Sequence, residues 1–282
     1  MLDTKEKLGI AAYGIPSILH TFGLFLLITT KFDDEEMTQR LFYIMLSLSE
    51  LTISVAEITM WIIYNTHSIV VRYIENLNIF FAYTLMYEIM IALTLDRFLK
   101  IFLNIKYHLY WKYSRSVKLV IALFVLNGVM CASFWLTDST AELNTYYFLP
   151  FDLLFLSVAI CTYGYIFVKI QKNRKIQKPE ISQNRMDSKT SNSSIRLKTK
   201  RILRQNKQFL STFLLVITFT SFTVLPDFFY LYYGLKNYWK DWFFLLSAIL
   251  YSTSYTCDFL IYTFSSRPIR RKLVKWVRRF RP

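Results

Sequence analysis

Asp96 and Arg97 stand side by side where a largely apolar run gives way to basic and aromatic residues, Lys100, Phe102, Lys106, Tyr107, Tyr110, Trp111 and Lys112. A charge at the centre of a bilayer costs ~2.5 kcal/mol or more, so an adjacent acid and base ending an apolar stretch mark a membrane edge or a function. Other ionisable residues interrupt other apolar stretches: His20, Glu50, Glu57, Glu88, Asp227 and Asp258. Glu50 and Glu57 are seven apart, and Asp258 and Tyr262 four apart, so each pair shares a helical face. In lipid none of these acids can be left bare. Each must face the bundle interior, carry a proton or meet a polar or cationic partner. His20 and Glu88 read first as hydrogen-bonding groups between helices. The three histidines, His20, His67 and His108, are too scattered to suggest a metal site.

The elements that must hold these groups follow from composition. The chain of 282 residues is 54% hydrophobic and 18% aromatic, with a mean hydropathy of +0.30, which is too apolar for a soluble domain of this size. Seven apolar stretches stand out, at 8–30, 41–64, 69–101, 117–136, 146–170, 209–233 and 242–264. Each reaches the ~20 residues that cross ~30 Å of hydrocarbon as a helix. The expected fold is therefore an all-α membrane protein, a bundle of seven transmembrane helices. The first stretch is too long for a signal-peptide core and is expected to be a retained anchor. Cys131, Cys161 and Cys257 all fall inside expected spans, so no disulfide between outer loops is foreseen.

The net charge of +15 is distributed by topology. With the N-terminus outside, the outer segments hold five of the Lys and Arg residues and the inner segments twenty-nine. That asymmetry predicts a multi-pass protein with its N-terminus outside and its C-terminus cytoplasmic, and argues against nucleic acid as a partner. Residues 171–206 are basic, with a Ser-rich polar centre, and read as a partly disordered cytoplasmic loop between helical extensions. Residues 265–282 hold eight Lys and Arg against Ile269, Leu273, Trp276 and Phe280 at helical spacing. That pattern predicts a short amphipathic eighth helix on the anionic inner leaflet, with Ser265 and Ser266 as its cap and Pro268 at its first position. The bundle is expected to occupy residues 1–264.

Thr94-Leu95-Asp96-Arg97-Phe98 resembles the Asp-Arg-Tyr signature at the inner end of the third helix of rhodopsin-like G-protein-coupled receptors, with Phe98 in place of Tyr. Leu46-Ser47-Leu48-Ser49-Glu50 resembles that family's second-helix Leu-Ala-x-x-Asp, and Asp258 to Tyr262 its seventh-helix Asn/Asp-Pro-x-x-Tyr, with Phe259 for Pro. Pro150 and Pro226 match the prolines of the fifth and sixth helices. The chain departs from the pattern at the first-helix Asn, where it reads Leu19-His20-Thr21-Phe22, and at the sixth-helix Cys-Trp, here Thr223-Val224. Ile79 stands where amine receptors carry their ligand-pairing Asp. The resemblance is thus to a divergent, orphan or chemoreceptor-like member.

The resemblance implies a plasma-membrane receptor that couples an extracellular ligand to a heterotrimeric G protein through outward movement of the sixth helix. It assigns the switch to Asp96, Arg97, Phe98 and Tyr262, an intramembrane cation site to Glu50 and Asp258, and hinges to Pro150 and Pro226. A sodium ion between Glu50 and Asp258 is conceivable on this pattern, although Met86 replaces a third-helix Ser. Retinal is not expected, since no Lys occurs between Asp241 and Phe264. The acid that often restrains the third-helix Arg would fall at Asn206, so basal activity is expected; arrestin would engage the third cytoplasmic loop. Ligand contacts are expected in the outer third of the bundle, among Tyr83, Asn144, Asp227, Phe228, Tyr251 and Tyr255. Asp227 there is either a partner for a cationic ligand or an acid supporting the Pro226 kink. The alternative is a seven-span channel or transporter whose path runs through Glu50, Glu57, Glu88 and Asp258; no repeat relates the two halves of the chain to support it. No catalytic motif marks an enzyme.

Overall fold

A computed structural model describes residues 4–63, 69–103, 106–136, 141–183, 210–229 and 241–279. Among these there are helices and no strands: α1 Thr4–Thr29, α2 Asp34–Ile63, α3 Ile69–Leu103, α4 Tyr113–Leu136, α5 Ala141–Gln183, α6 Leu210–Phe229, α7 Asp241–Ser265 and α8 Arg267–Arg279. A one-turn helix, Tyr107–Tyr110, lies between α3 and α4. Helices α1 to α6 are long and apolar enough to cross a bilayer, and α7, with 25 residues, is the seventh span. The helices cover the apolar stretches, with α2 starting seven residues earlier, at Asp34, and α5 running from Ala141 on to Gln183. Pro150 therefore lies nine residues inside α5.

Helix α3 is the axle. It packs on α2, α4 and α5, while α7 closes the ring against α1, α2 and α6. Of its apolar span 72% is buried, against 17% for α4. The core is heavily aromatic: Tyr87 meets Phe219 at 5.0 Å, and Phe155 meets Phe219 at 4.9 Å, both edge to face, the geometry that ring quadrupoles favour. The outside is Ile, Val, Leu and Phe, with Ile18, Val125, Ile160 and Val168 among the most exposed. Such a surface suits acyl chains, not water. Ser and Thr hydroxyls on this face, such as those of Thr52, Thr59 and Ser157, donate to the carbonyl four residues back and so stay satisfied in lipid.

Helix ends leave carbonyls without partners, and here neighbouring cations supply donors. Arg40 of α2 donates to Leu27 O and Ile28 O, both at 2.9 Å, at the end of α1. Lys169 of α5 donates to Ile101 O at 3.0 Å, at the end of α3. Both complement the negative end of a helix dipole. In α6, Pro226 has no N–H for the carbonyl one turn back, and the helix relaxes into a π turn over Thr220–Val224.

Helix α8 is capped by Ser266 through its backbone: Arg270 N donates to Ser266 O at 3.0 Å. The Ser266 hydroxyl has no partner, and Pro268 takes the second helical position, one later than expected. Ile269 is buried. Trp276 lies 6.3 and 5.8 Å from the rings of Phe22 and Phe25, which fixes α8 to the C-terminal half of α1.

Gly23 lets α7 approach α1. A Cβ there would overlap the Tyr262 hydroxyl and lie 3.0 Å from Phe259, whereas a Cβ at Gly14 would meet nothing within 4 Å. Gly23→Ala is expected to destabilise the detergent-solubilised protein by about 1–3 kcal/mol through overpacking. Gly14→Ala is expected to stabilise it by up to about 1 kcal/mol through helix propensity. Thermal unfolding of the two variants checks the opposite signs.

Candidate functional site

Three polar layers cross the bundle. The innermost is at the end of α3, where Asp96 and Arg97 are 1% and 2% exposed. Arg97 Nε is 3.8 Å from Asp96 Oδ2, and none of its guanidinium nitrogens has a hydrogen-bond acceptor. Its electrostatic neighbours include Tyr43 on α2 and Tyr163 on α5, so the side chain faces the gap between helices and not lipid. Tyr107, in the turn after α3, donates to Asp96 Oδ1 at 2.5 Å. Burial, then the Asp96 carboxylate, pushes the Tyr107 phenol up from its ordinary value, which keeps it a donor. Phe98 is elsewhere: it stacks on Phe102 at 5.6 Å and meets Tyr165 at 5.3 Å, on the α3–α5 flank.

The middle layer joins α1, α2, α6 and α7. His20 is fully buried, with Nδ1 3.0 Å from Ser47 Oγ and Nε2 3.0 Å from the carbonyl of Tyr255. Nε2 also lies 3.3 Å from Glu50 Oε2. Ser47 Oγ is 3.2 Å from the Tyr262 hydroxyl, and Tyr262 stacks on Tyr43 at 5.4 Å. Thr218 donates to Asp258 Oδ1 at 3.1 Å. Glu50 and Asp258 interact directly, yet neither Glu50 oxygen nor Asp258 Oδ2 has a hydrogen bond of good geometry. Glu50, Asp258 and Tyr262 thus converge inside the bundle.

The outer layer joins α3, α5, α6 and α7. The Tyr87 hydroxyl lies 2.5 Å from Asp152 Oδ1 and 2.8 Å from Asp227 Oδ2. Tyr251 donates to the other oxygen of Asp227, and its ring meets Tyr83 at 6.1 Å. One phenol has one proton, so it donates to one carboxylate only. The second close contact needs a proton on a carboxyl group or a positive charge beside it. Among the residues expected to meet a ligand, Tyr83, Asp227 and Tyr251 are brought together. The Tyr255 hydroxyl lies beside Tyr83 while its carbonyl is turned to His20, and Phe228 packs on the edge of the core. The side chain of Asn144 lies outside the described residues. Pro226 is buried just past the π turn, whereas Pro150 is exposed.

Asp152 and Tyr87 were not singled out by the sequence reading. The signal for Asp152 was present, an acid two residues past Pro150 in an apolar span, the same signal that marks Asp227. Removing the shared hydroxyl by Tyr87→Phe strips both carboxyls of a partner, at a cost of about 1–3 kcal/mol. Asp152→Leu in that background is expected to restore part of the loss. Thermal unfolding of the single and double variants measures the coupling; an unchanged midpoint for Tyr87→Phe would contradict the network.

No family model matches the chain, and no curated protein matches it in sequence. Solved structures do resemble it. A crystal structure of squid rhodopsin superposes with a TM-score of 0.75, covering 97% of this chain and 86% of that one at 14% identity. At that identity the likeness is one of fold, and the chain has the seven-helix membrane architecture of rhodopsin.

Proposed function

We propose that this protein is a rhodopsin-like receptor that signals through a heterotrimeric G protein from the plasma membrane, with its N-terminus outside and its C-terminus cytoplasmic. The observation that carries the reading is Arg97, a buried guanidinium at the inner end of α3 with a carboxylate 3.8 Å away and no hydrogen-bond acceptor. A buried cation so loosely held is ready for an acceptor that arrives when the inner ends of the helices part. Helix α6 supplies the hinge, with the π turn and Pro226 between its two halves. Tyr262 and Asp96 act with Arg97, and Phe98 braces α3 on α5.

The ligand enters the outer half of the bundle and meets Tyr83, Tyr251, Phe228 and Asp227, joined by Asp152. Two carboxyls sharing one phenol favour a cationic ligand, which brings the charge that the pair lacks. Retinal is not the ligand, because α7 offers no lysine for a Schiff base. The basic α8 rests on anionic lipid, and the third cytoplasmic loop, which lies mostly outside the described residues, is the place for arrestin.

In cells carrying G-protein dissociation reporters, the parent chain is expected to give basal signal above untransfected cells for at least one G-protein class. Arg97→Ala at matched surface expression is expected to remove it. A parent silent across every class, or an Arg97→Ala variant that signals equally, would overturn the reading.

A further inference from the structure

The resemblance places a sodium ion between Glu50 and Asp258, and the residues around those two carboxyls test whether one fits. Three carboxyl oxygens of the pair lack a good hydrogen bond, both of Glu50 and Oδ2 of Asp258, and Ser54, one turn after Glu50, has a buried hydroxyl that also lacks one. Glu50, Ser54 and Asp258 are fully buried. On that count alone a cation would be welcome.

The imidazole of His20 argues otherwise. Its Nε2 lies 3.0 Å from the carbonyl oxygen of Tyr255, and a carbonyl oxygen only accepts, so Nε2 carries the proton. That same N–H side faces Glu50 Oε2 at 3.3 Å. A sodium ion on this oxygen would be met by an N–H hydrogen and not by a lone pair. The opposite nitrogen is held by Ser47 Oγ at 3.0 Å, and Ser47 is held in turn by the Tyr262 hydroxyl at 3.2 Å. The ring of Phe259, 6.1 Å away and edge to face, and that of Tyr262, 6.4 Å away, keep the imidazole from swinging aside. Where the resemblance puts a third-helix Ser near the ion, α3 has Met86, which is fully buried and offers a thioether instead of the oxygen a hard cation needs. The space beside Glu50 is therefore already occupied by the N–H side of an imidazole supplied by α1 from within the chain.

We propose that His20 stands in place of a bound monovalent cation: its imidazole fills the position beside Glu50 and Asp258, and the bundle takes no sodium there. The inference rests on packing alone and holds whether or not the protein couples to a G protein.

The purified full chain in lipid nanodiscs, unfolded thermally in sodium chloride and in choline chloride at equal ionic strength, tests it without any signalling readout. The parent is expected to unfold at the same temperature in both salts. His20→Ala, which empties the position, is expected to unfold earlier in choline and to recover with sodium along a saturating curve. At ten times the dissociation constant the recovery is about 2–4 °C. Should His20→Ala not fold, His20→Asn is measured in the same way. Saturable stabilisation of the parent by sodium, or a His20 variant indifferent to sodium, would overturn the proposal.

Discussion

Hydrocarbon gives a charge no water to turn to, and the arrangement of this bundle follows from that constraint. Acids on α2, α3, α5 and α7, a base on α3 and a histidine on α1 are buried, and Asp227 of α6 is turned to Tyr87 and Tyr251. They do not scatter there. They collect into layers, each bridged by tyrosine: Tyr107 and Asp96 at the inner end, Tyr262 through Ser47 in the middle, and Tyr87 with Tyr251 in the outer half. Tyrosine suits the task because its ring packs with the aromatic core while its hydroxyl satisfies an acid. Tyr87 does both: its ring lies against Phe155 and Phe219, and its oxygen lies between two carboxyls.

The seven helices were legible because each is a long apolar run with turn or charge signals at its ends, and nothing in the chain alternates like a strand. The inward orientation of Asp258 and Tyr262 followed from their spacing of four, and that of Arg97 from the cost of the alternative. Pairings across helices were not legible. Helical periodicity says which face a residue occupies but not which neighbour lies opposite, so nothing in the sequence joins Asp152 to Tyr87 or His20 to Tyr255. The π turn was hidden for a similar reason. Pro226 announces a lost hydrogen bond, but whether the helix kinks or widens depends on what packs around it, here Thr223 against Ser254. The start of α8 one residue early, at Arg267, was a matter of local geometry, since the Ser266 backbone does the capping that its hydroxyl was expected to do.

The departures from the receptor pattern become intelligible as local replacements. Where the pattern has an Asn on the first helix, this chain has His20, which reaches both α2 and α7. Asn is too short to reach partners on both helices from opposite sides, as the imidazole does with its Nε2 donor and Nδ1 acceptor. With Phe259 in place of the seventh-helix proline, α7 remains helical through Asp241–Ser265, and the Phe259 ring is used to hold His20 and Tyr262. Gly23 belongs to the same arrangement, because the Tyr262 hydroxyl reaches its position only where α1 lacks a Cβ.

Helix α6 is tethered on both sides of its widened turn. On the inner side Thr218 is bound to Asp258; on the outer side Thr223 is bound to Ser254 and Asp227 to Tyr87 and Tyr251. A rigid helix would have to move all these contacts at once. A π turn lets its two halves move separately, so the outer bonds can hold while the inner one breaks. The inner half packs near Tyr163, whose ring meets Phe213 at 5.4 Å, and Tyr163 is one of the groups beside Arg97. In the proposed reading, displacing that half would uncover the one buried guanidinium among the described residues that has no acceptor. In the proposed receptor, charge at the outer acids and access to Arg97 would be linked through this one helix, by bonds made or broken, with no need for a field acting across the ~15 Å of α3 between Tyr87 and Arg97.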